Sequence, residues 1–267
     1  MSLNTLASAV CKRLGLNFAA VFDEHEFNKD LPGYSEKYQI DFLSYGNADS
    51  QFAQSLPVHK GFHIIRDPRD IVVSAYFSHR NSHSTSAWGE LKPHREKLRK
   101  LSEKDGLLEE IRFRERSFRH MHNWDYEQEN ILEIRFEDLI NRHYETLLQV
   151  FDHLGLLSQK DYRFMSRPGG MYRELLAYAR SSLNISLPRL TKHALLPAAE
   201  LLTIVWRNRF EAKTRGRDQG DEDVQSHYRK GKAGDWVSHF DEEHKTLFKD
   251  LYQGLVPSLG YGESDDW

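Results

Sequence analysis

The sequence predicts an α/β fold, and three observations carry that expectation. The run Phe62, His63, Ile64 and Ile65 is short, apolar and partly β-branched; it meets a turn at Asp67 and Pro68, after which apolar residues recur at helical spacing at Ile71, Val72, Ala75 and Tyr76. A second such run, Ile131 to Phe136, enters the acidic pair Glu137 and Asp138 and then a helix that ends near His153, Leu154 and Gly155. Between them, residues 93–122 are strongly charged and helical, with Leu98, Leu101, Leu107, Leu108, Ile111 and Phe118 forming an apolar stripe and the charges a solvated face.

Length and composition fit this class. With 267 residues, 39% of them hydrophobic and 12% aromatic, the chain can bury one substantial core, and a single domain over residues 1–267 is expected. A net charge of −3 argues against a general nucleic-acid binder, so a basic surface must be local and serve a small anion. The one cysteine, Cys11, excludes an intramolecular disulfide and a multi-cysteine zinc site. There is no apolar run of about 18 residues and no signal-peptide pattern, so the expectation is a cytoplasmic protein without a membrane span.

In chain order, Asn4 to Leu16 reads as a helix, with Asn4 or Thr5 as its cap and Gly15 as its stop. Asn17 to Phe22 reads as a strand, and Asp41 to Ser50 as a second strand edge and loop beyond a turn at Pro32 and Gly33. The strand–turn–helix from Gly61 to His79 aims backbone N–H groups and a positive helix end at the strand's carboxyl edge, where Arg66 adds a fork of donors. Asp70 is placed to accept from the first helical turn, and Ser74 follows one turn later. The same residues would equally suit a surface on which Arg and Asp simply pair.

A polar loop is expected after that helix, carrying His79, His83 and Trp88; the two histidines have no third ligand near them in the chain, so no metal is expected. The stretch from Gln159 to Gly220 carries apolar and aromatic residues that suit either a helical lid packed on the sheet or the cover of an acceptor pocket. The acidic run Asp218 to Val224 reads as a flexible lead-in to Tyr228–Phe240, YRKGKAGDWVSHF, where Arg229, Lys230 and Gly231 open a small loop suited to a phosphate.

Taken together, RDPRDIVVS (residues 66–74), ILEIRFEDLI (131–140) and RKGKAGDW (229–236) closely resemble the motifs of sulfotransferases that use 3′-phosphoadenosine 5′-phosphosulfate, PAPS. The resemblance implies a P-loop-NTPase-like three-layer fold, a central parallel sheet flanked by helices. It also implies transfer of a sulfuryl group to a hydroxyl of a small-molecule acceptor, leaving PAP. Residue by residue, it places the 3′-phosphate on Arg66 and Ser74, closes Arg229, Lys230 and Gly231 over it, and packs Phe136 on the adenine. The family's catalytic histidine falls by interval near Ser44, so His59, beside Lys60 and just ahead of the strand, is the expected base.

The family begins with a strand and a phosphate loop of the type Pro-Lys-Ser-Gly-Thr-Thr-Trp, whereas this chain opens on a helix. That loop is therefore expected to be missing: the start lies upstream, the chain was cut, or it is an impaired relative. Two other classes follow for consideration. One is a protein that binds PAP or PAPS without turnover. The other is a P-loop kinase, against which stands the absence of any GxxxxGK[ST] segment.

Overall fold

In the computed structural model, residues 3–85, 88–158 and 195–267 are described. Helix α1 (Leu3–Leu14) forms where Leu6, Val10 and Leu14 share one buried face, and it stops at Gly15, whose φ of 70° suits a residue without a Cβ. Strand β1 (Phe18–Val21), helix α2 (Leu31–Lys37) and strand β2 (Phe42–Tyr45) follow. The two strands pair in parallel, with Phe18 opposite Phe42 and Val21 opposite Tyr45. A short helix α3 (Ser50–Gln54) leads to β3 (Gly61–Ile65). Val21, Phe27 and Leu31 make a small apolar cluster, completed by Tyr34, Leu43, Tyr45, Phe52 and Leu56.

Helix α4 (Pro68–Phe77) then runs into a π-helical turn, Ser78–Ser82, where the sequence suggested a polar loop. His79 is buried in that turn. Helices α5 (Leu91–Lys100), α6 (Glu103–Phe113) and α7 (Glu115–His122) take up the charged stretch, and its apolar stripe lies buried as the spacing indicates, except for Leu101, which is only half-buried. Strand β4 (Ile131–Arg135) is hydrogen-bonded to β3. Helices α8 (Phe136–Asn141) and α9 (His143–His153) replace the single helix expected there. Beyond β5 (Leu157–Ser158) the description resumes before β6 (Leu196–Pro197), its parallel partner. Then come α10 (Ala198–Arg207), α11 (Phe210–Lys213), α12 (Glu242–Leu251) and α13 (Leu255–Ser258).

Helices joined to parallel strand pairs make this an α/β protein. The chain divides into two compact units. The first takes residues 1–63, 125–134 and 141–212. In it α10 buries Leu201 and Val205 and packs against α1 and α9, and Arg13 pairs with Glu200. Of the lid expected over 159–220, residues 159–194 lie outside the described residues. Across β3 and β4, His63 Nδ1 meets Glu133 Oε2 at 2.8 Å, which places this histidine against the neighbouring strand.

The second unit takes residues 64–124, 135–140 and 213–267. Its core is built from Val72, Val73 and Tyr76 of α4, Leu107 and Ile111 of α6, Phe118 of α7 and Phe248 of α12, all within 2% of full burial. Gly106 lets α6 lie directly on α4, because a Cβ there would stand 2.4 Å from the Tyr76 ring. Tyr252 seals the packing by donating its hydroxyl to the Ile111 carbonyl. No described helix is long and apolar enough to cross a membrane.

Candidate functional site

Every residue that the motifs single out for the nucleotide lies in the second unit, and each charged residue of the Arg-Asp-Pro-Arg-Asp segment has a separate task. Asp67 is the N-cap of α4: its carboxylate accepts from the Arg69 backbone N–H at 2.9 Å, and Pro68 at the first helical position has no N–H to satisfy. The expectation that Asp70 would cap this turn is therefore corrected. Arg69 donates twice to the Asp67 carboxylate, at 2.9 and 2.7 Å, and once to the Tyr261 carbonyl at 3.1 Å. Its guanidinium lies between two indoles, 4.0 Å from the Trp236 ring centre and 4.5 Å from that of Trp267.

Asp70 instead reaches the late loop. Its carboxylate, 1% exposed, accepts from the backbone N–H of Gly234 at 2.6 Å and of Trp236 at 3.0 Å. The loop is thus fastened to α4 by two charge-assisted hydrogen bonds. Gly231 and Gly234 both sit at positive φ, 67° and 78°, which the tight path of the loop requires.

Arg66 emerges from β3 with its guanidinium 4.5 Å from the Phe136 ring centre, at the start of α8. Its Nε is buried without a hydrogen-bond partner among the described residues. Burial pushes the guanidinium pKa down; Asp70 and Glu137 oppose this, and the neighbouring charge of Arg229 adds to it. Two arginines that repel each other in a buried place, one with an idle donor, make an environment that an anion would relieve.

Arg229 is 8% exposed, lies 4.7 Å from the Phe77 ring centre, and pairs with Glu222 and Asp235. Lys230 shares Asp235. Burial raises the Asp235 pKa, but the hydrogen bonds from Lys230 and Arg229 outweigh it and hold the carboxyl below the usual aspartate range. Because the value is depressed, this clamp is in place above the ordinary aspartate pKa and is lost only as the pH falls through the lowered one.

The acidic run is no flexible lead-in. Gly220 N–H donates to the Lys230 carbonyl at 2.8 Å and Asp223 N–H to that of Arg229 at 3.0 Å, while the Gln219 amide reaches the Gly231 carbonyl at 2.6 Å. Arg217 donates to the carbonyls of Tyr228 and Arg229. Glu222 is thereby laid against Arg229, where an incoming phosphate would compete with it.

The structure thus brings together Arg66, Phe136 and Arg229, with Lys230 and Gly231 carried on the same loop. Ser74 stays on α4, half-buried, with its hydroxyl unengaged among the described residues. His59 belongs to the first unit. There its Nδ1 lies 2.8 Å from the Pro57 carbonyl, which can only accept, so the proton sits on Nδ1 and the Nε2 lone pair is the basic one. The Asn130 amide stands 3.4 Å from that Nε2. Sequence reasoning passed over Asp235 and Trp236, although both stand in the late motif, and it had no means of finding Glu222 or Trp267 as partners of arginines.

Comparison with known proteins adds a match of residues 51–160 to the model described as the sulfotransferase family. That stretch contains Arg66, Ser74 and Phe136 and leaves out the late loop. No curated protein matches the chain. Among solved structures, mouse sulfotransferase SULT7A1 complexed with PAP is similar at 15% identity and a TM-score of 0.41, over 97% of this chain and 81% of that one. Retinol dehydratase in complex with androsterone and inactive cofactor PAP is similar at 17% identity and a TM-score of 0.38, over 80% of this chain and 52% of that one.

Proposed function

We propose, for a chain whose residues 51–160 match the sulfotransferase-family model, that it binds PAPS and transfers its sulfuryl group to a hydroxyl of a small-molecule acceptor. The reading includes the three-layer fold with a central parallel sheet that goes with such an activity, and a place of action in the cytoplasm. One observation carries it furthest: the half-buried Arg66 side chain, whose buried Nε has no partner among the described residues, close to the like charge of Arg229. A doubly charged phosphate suits such a pair, since guanidinium forks match its oxygens and each charge-assisted contact is worth roughly 1.5–3 kcal/mol.

When bound, the nucleotide supplies an activated sulfuryl group. The chain's own residues then have the following tasks. Arg66 and Arg229 hold the 3′-phosphate, with the Ser74 hydroxyl as a third donor, so that the cofactor is oriented without contact to the reacting sulfur. Lys230 and the backbone at Gly231 close the loop over the same anion, and Asp235 keeps Arg229 and Lys230 aimed. Phe136 steadies Arg66 through its ring and carries the stack against the adenine. His59, protonated on Nδ1, takes the acceptor hydroxyl proton at Nε2 as that oxygen attacks.

Incubation of the purified chain with sulfur-labelled PAPS and a panel of alcohols and phenols tests this. A labelled product is expected, and His59→Ala should slow its formation by about 10²–10⁴-fold, the usual worth of a positioned base, while the affinity for PAP stays the same. Transfer at the full rate by His59→Ala would remove His59 from the mechanism. PAP binding without any labelled product would leave a nucleotide-binding protein without turnover.

A further inference from the structure

The second unit holds a buried group of side chains that nucleotide binding does not use: His79, His94 and Glu110. They come from three successive elements, the π-helical turn, α5 and α6. The Glu110 carboxylate has no exposure at all, and the two histidines are 3% and 5% exposed. His94 Nε2 stands 2.8 Å from Glu110 Oε2, and His79 Nδ1 is 2.9 Å from Oε1 and 3.1 Å from Oε2. One ligand-type atom from each residue thus lies within 4.8 Å of the others. From this geometry we infer that His79, His94 and Glu110 form a binding site for a divalent transition metal, of which zinc is the best match.

The chemistry of the set points that way. Two imidazoles and one carboxylate are a common zinc donor set, with bonds of about 2.0–2.2 Å. The N···O separations of 2.8–3.1 Å would need to open by only a few tenths of an ångström to become the edges of such a coordination shell. Each imidazole binds as the neutral ring, with its proton on the nitrogen away from the metal, so the site adds one carboxylate charge against the cation. A fourth position is left for water.

Two independent features support a site rather than an ordinary polar contact. Glu110 Oε1 is wholly buried, and His79 approaches it outside hydrogen-bonding geometry, so one oxygen of a buried carboxylate has no proper donor among the described residues. His79 also sits on a π-helical turn, a rare backbone form frequent at functional sites. Arg95 braces that turn by donating to the carbonyls of His79 and His83. The rings are fixed as well: His94 lies flat on Phe113, 3.7 Å between centres at 7°, and Trp88 stands edge-on to His79 at 5.2 Å. A rigid surround of this kind holds donors in place before a metal arrives.

The test uses the full chain, stripped with a chelator and dialysed. Titration with Zn²⁺ against a chromophoric competitor should show one tight equivalent, and Co²⁺ should give the visible absorption of a four-coordinate nitrogen–oxygen site. His94→Gln and Glu110→Gln should weaken Zn²⁺ binding at least tenfold. Because those variants alter a buried cluster and could fail to fold, a non-ligand reports independently. Co²⁺ should quench the tryptophan fluorescence of the wild-type chain, and Trp88→Phe should remove most of that quenching while leaving the Zn²⁺ affinity intact. Absence of an equivalent of bound zinc in the wild type would overturn the site and leave Glu110 as a carboxylate held by two imidazoles beside Arg114. Quenching that survives in Trp88→Phe would overturn it too, since the metal would then sit elsewhere among the 14 histidines.

Discussion

Replacing Arg66 by methionine is expected to raise the Kd for PAP about 10- to 150-fold, the loss of one charge-assisted phosphate contact worth roughly 1.5–3 kcal/mol at 1.4 kcal/mol per decade. Stability should hardly suffer. Its Nε is buried without a hydrogen-bond partner among the described residues, and burial together with the charge of Arg229 outweighs the favourable charges of Asp70, Glu137 and Asp67, so the guanidinium charge is a burden on the fold rather than a support. Methionine keeps the apolar stem of the side chain and removes the charge, ending about two atoms short of the guanidinium that now lies 4.5 Å from the Phe136 ring centre. Calorimetric titration with PAP, read beside the thermal midpoint, checks both halves. A folded Arg66→Met protein with wild-type affinity would remove Arg66 from the phosphate site.

The second large effect is expected at Asp70. Its two carboxylate oxygens each accept one backbone N–H of the late loop, from Gly234 and from Trp236. Asparagine has the same shape but only one acceptor oxygen, so its amide N–H₂ would face one of those donors. Asp70→Asn should therefore cost roughly 3 kcal/mol or more: one charged hydrogen bond is lost, the other is weakened, and a buried N–H is left unmatched. The loss should appear as a lower urea midpoint and as faster amide exchange at Gly234 and Trp236. PAP affinity should fall with it, because Arg229 and Lys230 ride on the unfastened loop. Unchanged exchange at both amides would show that the loop is held by other means.

These two residues also mark how far the sequence could be read. The strand from Phe62 to Ile65, the turn at Pro68 and the helical spacing after it are local signals, and β3 and α4 stand where those signals put them. The task of Asp70 was misjudged because its partners are more than 160 positions away, and nothing near an aspartate in a first helical turn distinguishes a cap from a long-range acceptor. The capping role fell to Asp67, for which Pro68 at the first helical position was the available clue.

A shorter separation in sequence, 31 positions from His79 to Glu110 and 16 from His94, still hid the group of His79, His94 and Glu110. His79 and His83 looked solitary because the other donors lie on later helices. A signal did exist: Glu110 stands in the apolar stripe between Leu107, Leu108 and Ile111, and a carboxylate on a buried face must find partners. The acidic run before the late loop misled through composition alone. Its charges suggested solvent, yet its backbone pairs with Arg229 and Lys230, and Glu222 pairs with an arginine. Phe136, read as the end of a strand, begins α8, and that places its ring beside Arg66.

The central claim is that the second unit holds a 3′-phosphate between Arg66 and the late loop. Titration of the purified chain with PAP and, in parallel, with 5′-AMP tests it most directly, because the two nucleotides differ only in that phosphate. The account predicts saturable binding of PAP at least tenfold tighter than that of 5′-AMP, the minimum expected for one charge-assisted phosphate contact. Equal affinity for the two, or no binding of either, would contradict it.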